Sequence, residues 1–440
     1  MQIVRPTFIA SIRKTPNCPF ARTSLMATLE ETTPNTKVHH HYAHTDPCKD
    51  LRWTSRESYQ FMYNKPWKAV NDFYYDLVNG CSTLAELFSL KDEEDTSSSG
   101  IFAVENCLPE DKSGRWERVT FKILVSYHGE YFDGWQKQPG LNTVQGLVER
   151  SIGIFVDERK AQQLKAKGLP VEGMAVVAGR TDKGVTALNQ VCSFYTWRKD
   201  VRIEEIENAI NMAAPGKLRV VSVSQVSRAF HPNFCAKWRR YLYIFPLEEG
   251  DCRELRPKKE TDIICSENGQ NLGRNEINED NTEEESKDPH DDELDLVNKP
   301  TSFSVRRVDQ LLRQLEGKLL SYKMFARDTK AARNTGPPTE CFVFHARAAE
   351  ARIPCSNKDH VDGAKVMCIE LVANRFLRRM VRVLVATVVR EAAAGSEEDV
   401  LLKLMEATCR RATAPPAPPD GLCLVDVGYS DFDPEKCFIH

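Results

Sequence analysis

The chain has 440 residues, 41% of them hydrophobic, and a formal net charge of −3. That length can bury a large core and suggests two or three domains, and no run reaches eighteen consecutive apolar residues, so no membrane-spanning helix is expected. The fourteen cysteines include no CxxC pair, which leaves zinc ribbons and thioredoxin-like motifs without support. An isolated Cys such as Cys192, inside an apolar run, reads as small core filler in a reducing compartment. The near-neutral total hides an uneven distribution. Residues 271–297 hold eleven acidic and two basic side chains, a balance of −9, which leaves +6 for the rest of a chain whose total is −3. A basic body carrying an acidic loop is compatible with a polyanionic partner.

Along the chain, residues 1–29 contain four basic residues, six Ser or Thr and no acid. That composition matches an organelle transit peptide, for chloroplast or mitochondrion, and lacks the apolar core of a secretory signal; a chance composition, with a cytoplasmic or nuclear protein, is the alternative. HHHYAH at 39–44 has no Cys or carboxylate partners at ligand spacing, so no metal is expected there. Residues 30–100 form an N-terminal extension. It reads as two amphipathic helices between Trp53 and Leu90, with Phe61, Trp67, Val70, Phe73, Tyr74 and Leu77 inward, NGCS as the break and a linker at 89–100.

A first α+β unit is expected over 116–235. Its strand Val119–Tyr127 alternates Val119, Phe121, Ile123, Val125 and Tyr127 with other residues, and a helix capped by Thr143 carries Val144, Leu147, Val148, Ile152 and Phe155 on one face. MAVVA and QVCSFYT then read as strands, Ile203–Asn211 as a helix and LRVVSVSQV as a strand. Strand, helix, strand, strand, helix, strand is the split βαβ order. A second α+β unit spans 236–440, interrupted by an acidic insert at 248–300. It opens on an aromatic strand, with Tyr241, Tyr243 and Phe245 on one face and Leu242 and Ile244 on the other. A helix at Val305–Leu319, strands at Cys341–Ala349 and Lys365–Val372, a long helix at Arg375–Ala394 and a last strand at Leu422–Tyr429 follow.

Four stretches could carry chemistry. AGRTDKGVTALNQV, 178–191, puts Asp182 beside Arg180 and Lys183 on a loop between two strands, with Gly179 and Gly184 permitting close approach. FHPNFCAKWRRYLYIF interleaves Lys237, Arg239 and Arg240 with aromatics, a pattern that suits phosphate binding and base stacking but also an ordinary charged strand edge. In ANRFLRRMVRVLVATVVREAAAG, Arg375, Arg378, Arg379 and Arg382 recur at helical spacing with no acid before Glu391, and the helix is expected to present a ladder of guanidiniums to a polyanion. HGEYFDGWQKQ places Trp135 and Gln136 on a loop as donors for base or sugar edges.

These residues carry a resemblance. GRTDKGVTALNQV is similar to the GRTDxGVHAxGQV signature of the TruA family of tRNA pseudouridine synthases. YHGEYFDGWQKQPGLNTVQGLVE resembles the family's YDGxxFxGWQxQ with its following TVQ, and FHPNFCAKWRRYLY its FHARFSAxxRxYxY. RFLRRMVRVLVA resembles its FxxHMVRxxVG, and TAPPAPPDGLCLVDVGY its closing segment. The five motifs occur in family order over about 118–430. Departures are Thr186 for the usual His, Asn189 for Gly, Arg378 and Arg379 for His or similar residues, and Val383 for Asn.

The resemblance implies the pseudouridine synthase fold, in which two ferredoxin-like halves form a mixed, mostly antiparallel sheet around a central basic cleft. It implies isomerisation of uridine to pseudouridine in tRNA, in the anticodon arm, with no metal or organic cofactor, no membrane, and a homodimer by analogy with bacterial members. Asp182 maps onto the family nucleophile, Tyr241 onto the tyrosine that stacks on the target base, and Arg382 onto a cation near the site; Arg180, two residues before Asp182, is a second candidate cation. A cation close by favours the charged form of a carboxyl. Lys183, Arg239, Arg240 and the arginines at 375, 378 and 379 (Arg375, Arg378, Arg379) would hold RNA backbone while the uridine is flipped out. Two alternatives stay open: an inactive tRNA-binding chaperone on the same fold, and a glycosidase-like hydrolase pairing Asp182 with Asp133 or Asp426.

Overall fold

Alternating apolar residues become strands wherever the alternation lasts. In the computed structural model, β1 (Val119–Tyr127) and β4 (Leu218–Val226) have the ends read from the sequence, and so does α5 (Ile203–Asn211). The structure describes residues 44–88, 118–168, 171–247, 299–327, 338–354 and 363–440. The candidate transit peptide, most of the HHHYAH tract, the linker at 89–100 and the acidic insert up to residue 298 lie outside the described residues. No helix among the described residues is long and apolar enough to cross a membrane.

In chain order the remaining elements are α1 (Ser55–Tyr63), α2 (Lys68–Asn79), α3 (Val144–Ile152), α4 (Glu158–Ala166), β2 (Val176–Val177), β3 (Thr186–Thr196) and β5 (Trp238–Pro246). They continue with α6 (Val305–Arg313), β6 (Lys318–Ser321), β7 (Glu340–Arg352), β8 (Lys365–Ala373), α7 (Met380–Ala393), α8 (Val400–Met405) and β9 (Leu422–Gly428). One sheet runs β4-β1-β3-β9-β5-β8-β7-β6, with β2 also paired to β3. Within β1 to β4 the spatial order is fourth, first, third, second. Counting β5, β7, β8 and β9 as the strands of a second unit, with β6 added at the edge, the same order recurs. Two split βαβ halves therefore share one sheet, joined by the last strand.

That joint sets the site. β9 pairs with β5 antiparallel, opposing Leu424 to Tyr241, and with the start of β3 in parallel, opposing Thr186 to Cys423 and Ala187 to Leu424. The start of β3 is where the Asp182 loop ends, so β9 brings that loop beside β5 although some sixty residues separate them in sequence. The faces follow the two-residue period of a strand. Tyr241, Tyr243 and Phe245 join the core packed under α3, α5, α6 and α7, while Leu242 and Ile244 join a second core with Val70, Phe73, Tyr74 and Leu77 of α2.

Three helix boundaries differ most from the sequence-based expectation. The helix expected over Val305–Leu319 stops at Arg313, because Gly317 turns the chain at φ 67° and residues 318–321 pair with β7. The helix expected from Arg375 starts at Met380, because Arg379 adopts φ 59° in the left-handed region. In the extension the break falls earlier than NGCS: Pro66 disfavours a helical Lys65, so α1 ends at Tyr63 and α2 starts at Lys68. α1 is opened by Thr54, whose hydroxyl accepts from the Glu57 amide at 3.2 Å while the Glu57 carboxylate accepts from the Thr54 amide at 2.7 Å. Residues 84–88 form a single 3-10 turn. α4 carries no apolar stripe and none of its described side chains is buried, so periodicity could not announce it.

The extension is anchored by buried charge. Arg52 Nε donates to Glu391 near the end of α7 at 2.7 Å, Arg390 Nη2 donates to the other Glu391 oxygen at 2.7 Å, and Ser396 Oγ adds a bond of 2.6 Å. Burial alone would raise the Glu391 pKa; the two guanidiniums outweigh it and hold the carboxyl below its ordinary range.

Candidate active site

Asp182 lies on a loop that a second loop grips. The amide of Trp135 donates to the Thr181 carbonyl at 3.1 Å and the amide of Gly184 to the Phe132 carbonyl at 3.3 Å. The two backbones come so close that only glycine fits at two positions of HGEYFDGW. A Cβ on Gly129 would stand 2.3 Å from the Gly184 carbonyl oxygen, and one on Gly134, itself at φ 98°, 2.9 Å from that of Thr181. Side chains complete the grip. Tyr127 OH and Thr181 Oγ1 lie 2.8 Å apart, and Gln190 Nε2 donates to the Gly179 carbonyl at 2.8 Å. The loop is thus held at both shoulders while the Asp182 side chain stays 27% exposed.

Two guanidiniums face that carboxylate. Arg382 Nη1 is 3.7 Å from one oxygen and Arg378 Nε is 3.9 Å from the other. Their settings differ. Arg382, in the first turn of α7, is buried; its Nε donates to the Ala417 carbonyl at 2.6 Å while the Ala417 amide donates back to the Arg382 carbonyl at 3.1 Å. Arg378 lies before the helix with its side chain 53% exposed, open to a second anion. Tyr241 completes the group from β5. Its ring packs edge-on against Phe376, with centroids 5.0 Å apart. Burial pushes its hydroxyl up to about 12; Arg239 opposes that shift and the charge of Asp182 adds to it. The phenol is therefore protonated at neutral pH, and it lies within electrostatic reach of Asp182.

Several residues singled out in the sequence stand elsewhere. Arg180 is exposed and makes no ion pair with Asp182 among the described residues; the cations beside the carboxylate come from 378 and 382 instead. Trp135 is 1% exposed, with its indole in the core against Tyr127, so its ring cannot present a donor to RNA; Gln136 beside it is exposed. Lys183 is on the surface, paired to Asp133 at 3.0 Å.

Arg239 and Arg240 are not a phosphate clamp, because both are buried and turned to acceptors within the protein. Arg239 donates to the carbonyls of Asn374, Ala178 and Asn233 and to the Asn233 side chain, at 2.7 to 3.0 Å. Arg240, one residue on, points to the opposite face of the sheet, where it donates to the Lys436 carbonyl at 2.7 Å and lies 3.6 Å from Glu370. The arginine ladder does not form either. Arg375, Arg378 and Arg379 precede α7, so only Arg382 of the four is helical.

Asp133 is taken by Lys183, and Asp426 lies opposite Arg240 in the strand pairing, on the face away from Tyr241, with its carboxyl pushed up by burial. Neither forms a carboxylate pair with Asp182. His345, Glu370 and Cys437, on the Arg240 face, bring three ligand-type atoms within 4.8 Å of one another. The charge of Glu370 is already met there by Arg240 and by the amides of Phe438 and Ile439 at 2.9 and 3.0 Å, which makes it a clamp on the C-terminal segment.

What the sequence did not reveal is the backbone that aims Arg382. The Ala417 carbonyl sits in the PAPPDG segment, where the run of prolines signals a fixed extended chain but gives no direction.

A family model described as tRNA pseudouridine synthase matches residues 325–430, the region of Arg378, Arg382 and β9. The tRNA pseudouridine synthase A of Leptospira biflexa is 36% identical over 124 residues, 28% of this chain and 43% of that protein. That of Dictyoglomus thermophilum is 36% identical over 127 residues, 29% of this chain and 46% of that protein. The chain thus spans less than half the length of these relatives in the matched stretches. The tRNA pseudouridine synthase A of Gluconobacter oxydans is 26% identical over 318 residues, 70% of this chain and 89% of that protein. A crystal structure of an unknown protein from Galdieria sulphuraria aligns at 12% identity and a TM-score of 0.15, covering 58% of this chain and 82% of that one, which is too low to bear on the fold.

Proposed function

Because the chain belongs to the TruA family of tRNA pseudouridine synthases, we propose that it isomerises uridine to pseudouridine in tRNA with Asp182 as the nucleophile. The observation that carries this reading is a carboxylate on a rigid loop, part-exposed, flanked by the guanidiniums of Arg382 and Arg378, with a buried tyrosine within electrostatic reach.

In the isomerisation the bond from the ribose C1′ to N1 breaks and a bond from C1′ to C5 forms. C5 gives up its hydrogen and N1 ends with one, so the product is an isomer. A carboxylate suits the first step because it can bond to sugar or base and later leave. Arg382, fixed by Ala417, orients the attacking group. Tyr241 stacks on the flipped base. With its hydroxyl pushed up to about 12 it holds its proton at neutral pH, so it delivers or relays a proton and does not remove one as free phenolate. Arg378 and Arg375 meet the backbone of the extruded nucleotide, and the exposed Gln136, Arg180 and Lys183 lie on loops where RNA of the anticodon arm would cross. Action as a homodimer, in an organelle, belongs to the same proposal.

The test is to incubate the purified protein and its Asp182→Asn variant with unmodified tRNA and map the pseudouridines. The wild type should modify a defined uridine and the variant none. Modification by the variant, or none by either protein, would defeat the assignment.

A further inference from the structure

The five motifs leave the N-terminal extension without a part in the chemistry, yet its helix α2 is bonded to both halves of the sheet where they meet. Asn71 alone reaches both. Its backbone carbonyl accepts from His128 Nε2 at 3.0 Å, in the first half, and its side-chain Nδ2 donates to Asp420 at 3.3 Å, in the second. A carbonyl only accepts, so Nε2 carries the ring hydrogen. One turn on, the fully buried Tyr74 donates its hydroxyl to the Gly421 carbonyl at 2.8 Å. The end of α2 is bonded to the first half again: Arg219 Nε donates to the Val78 carbonyl at 2.8 Å, and Asn79 Nδ2 to the Gly216 carbonyl at 3.2 Å. Carbonyls in the last turn of a helix have no partner within it, so the Arg219 bond also completes the helix end.

The residues that α2 holds are those that flank Asp182 and Arg382. His128 is followed by Gly129, which backs onto the Gly184 carbonyl and gives its amide to Thr186 Oγ1 at 3.0 Å, just past Asp182. On the other side, Asp420 and Gly421 close the segment in which the Ala417 carbonyl accepts from Arg382 Nε at 2.6 Å and the Pro418 carbonyl from Tyr243 OH at 2.9 Å. The two sides meet at Pro419, since a Cβ on Gly184 would stand 2.9 Å from its ring. His128 is also a point where this chain departs from the motif YDGxxF. It puts a donor where the motif has an Asp, which when ionised has no hydrogen to give to a carbonyl. The departure and the helix that uses it occur together.

We propose that α2 is a strap across the two halves, and that His128 and Tyr74, at its two fastenings, are positioning residues that hold the Asp182 loop at its working distance from Arg382. The proposal rests on the pseudouridine synthase reading. His128 acts through Gly129 and Thr186, and Tyr74 through the segment that carries the Ala417 carbonyl. Small displacements of a reacting group slow chemistry steeply without weakening the binding of substrate elsewhere. A strap works only while both ends are fastened. Cutting either end therefore releases the same constraint on the site, and cutting both releases no more. Stability follows a different rule, because each lost bond costs its own share.

The experiment measures kcat and KM for the full chain on an unmodified tRNA transcript, with melting temperatures alongside. Tyr74→Phe and His128→Phe should each lower kcat by about 10-fold at unchanged KM, the effect of a loosened reacting group. The double variant should lose no more in kcat than the worse single, within about twofold, while its melting temperature falls by the sum of the two. His128→Gln should restore kcat, because the Gln amide donates where Nε2 does. Tyr74→Phe removes a single oxygen and decides the matter even if His128→Phe does not fold. Wild-type kcat in either folded Phe variant, or losses in kcat that multiply in the double, overturn the proposal while leaving the enzyme reading intact. A wild type that forms no pseudouridine overturns both.

Discussion

Two arginine-bearing segments of this chain end in opposite places. In β5, Arg239 and Arg240 are buried, and backbone carbonyls accept from their guanidiniums. In 375–382, Arg378 and Arg382 turn to the one carboxylate of the Asp182 loop. Both set basic residues among apolar ones. What differs is the backbone: an extended strand sends neighbours to opposite faces of a sheet that is covered on both sides, whereas the left-handed turn at Arg379 throws the preceding side chains clear of α7. A basic motif therefore locates charge along a chain, and only the local geometry decides whether that charge meets protein or ligand.

The contrast can be broken by substitution. Arg382→Ala should cost the most in catalysis, about 10²- to 10³-fold in kcat, as for removal of one preorganised electrostatic partner; single-turnover kinetics on bound tRNA measures it. Arg240→Ala should do the reverse. It leaves Glu370 buried without its cation, costs about 3–5 kcal/mol of stability by denaturant titration, and does not alter the salt dependence of tRNA binding. A normal melt with a flattened salt slope would move Arg240 into the RNA interface and erase the distinction. Arg378→Ala with Arg379→Ala should weaken tRNA binding several-fold and lower the slope of log affinity against log salt by roughly 1 for each phosphate the pair neutralises. Unchanged affinity across salt would place both outside the RNA interface.

The smallest effect concerns acid. His44, beside the Arg52–Glu391 network, is held down to about 4, first by burial and then by the charges of Arg390 and Arg52. The unfolded chain takes up that proton first, from its ordinary 6.5, so the contribution of neutral His44 is whole above pH 6.5 and is lost as pH falls toward 4. Glu391, held below its ordinary range, loses its own contribution further into acid, in the same direction. Melting temperature should fall between pH 7 and pH 5, and less so in His44→Asn.

The sequence was legible where one rule acted alone. β1 alternates, β4 is rich in β-branched residues, and α5 has a helical stripe, so their ends could be read to the residue. The Asp182 loop could be placed because two apolar runs flank it. Legibility failed where a residue obeyed something nonlocal. Nothing in Lys318–Ser321 distinguishes a strand from a last helical turn until β7 is beside it, and no pattern shows that β9 pairs in parallel with β3. Trp135 sits in a polar run, yet its ring belongs to the core because Gly134 lets the chain dip toward Thr181. Arg180 stands two residues from Asp182, but side chains on a loop follow no fixed period, and the cations that meet the carboxylate come from about two hundred residues away.

The central claim is that the Asp182 carboxylate makes and breaks the bond. The hydrogen on uridine C5 must leave when C5 takes over the glycosidic link, so release of tritium from tRNA labelled at uridine C5 reads the reaction directly. Wild-type protein should release it, and Asp182→Asn should bind the same tRNA with equal affinity and release none. Tritium released by the Asn variant would contradict the account.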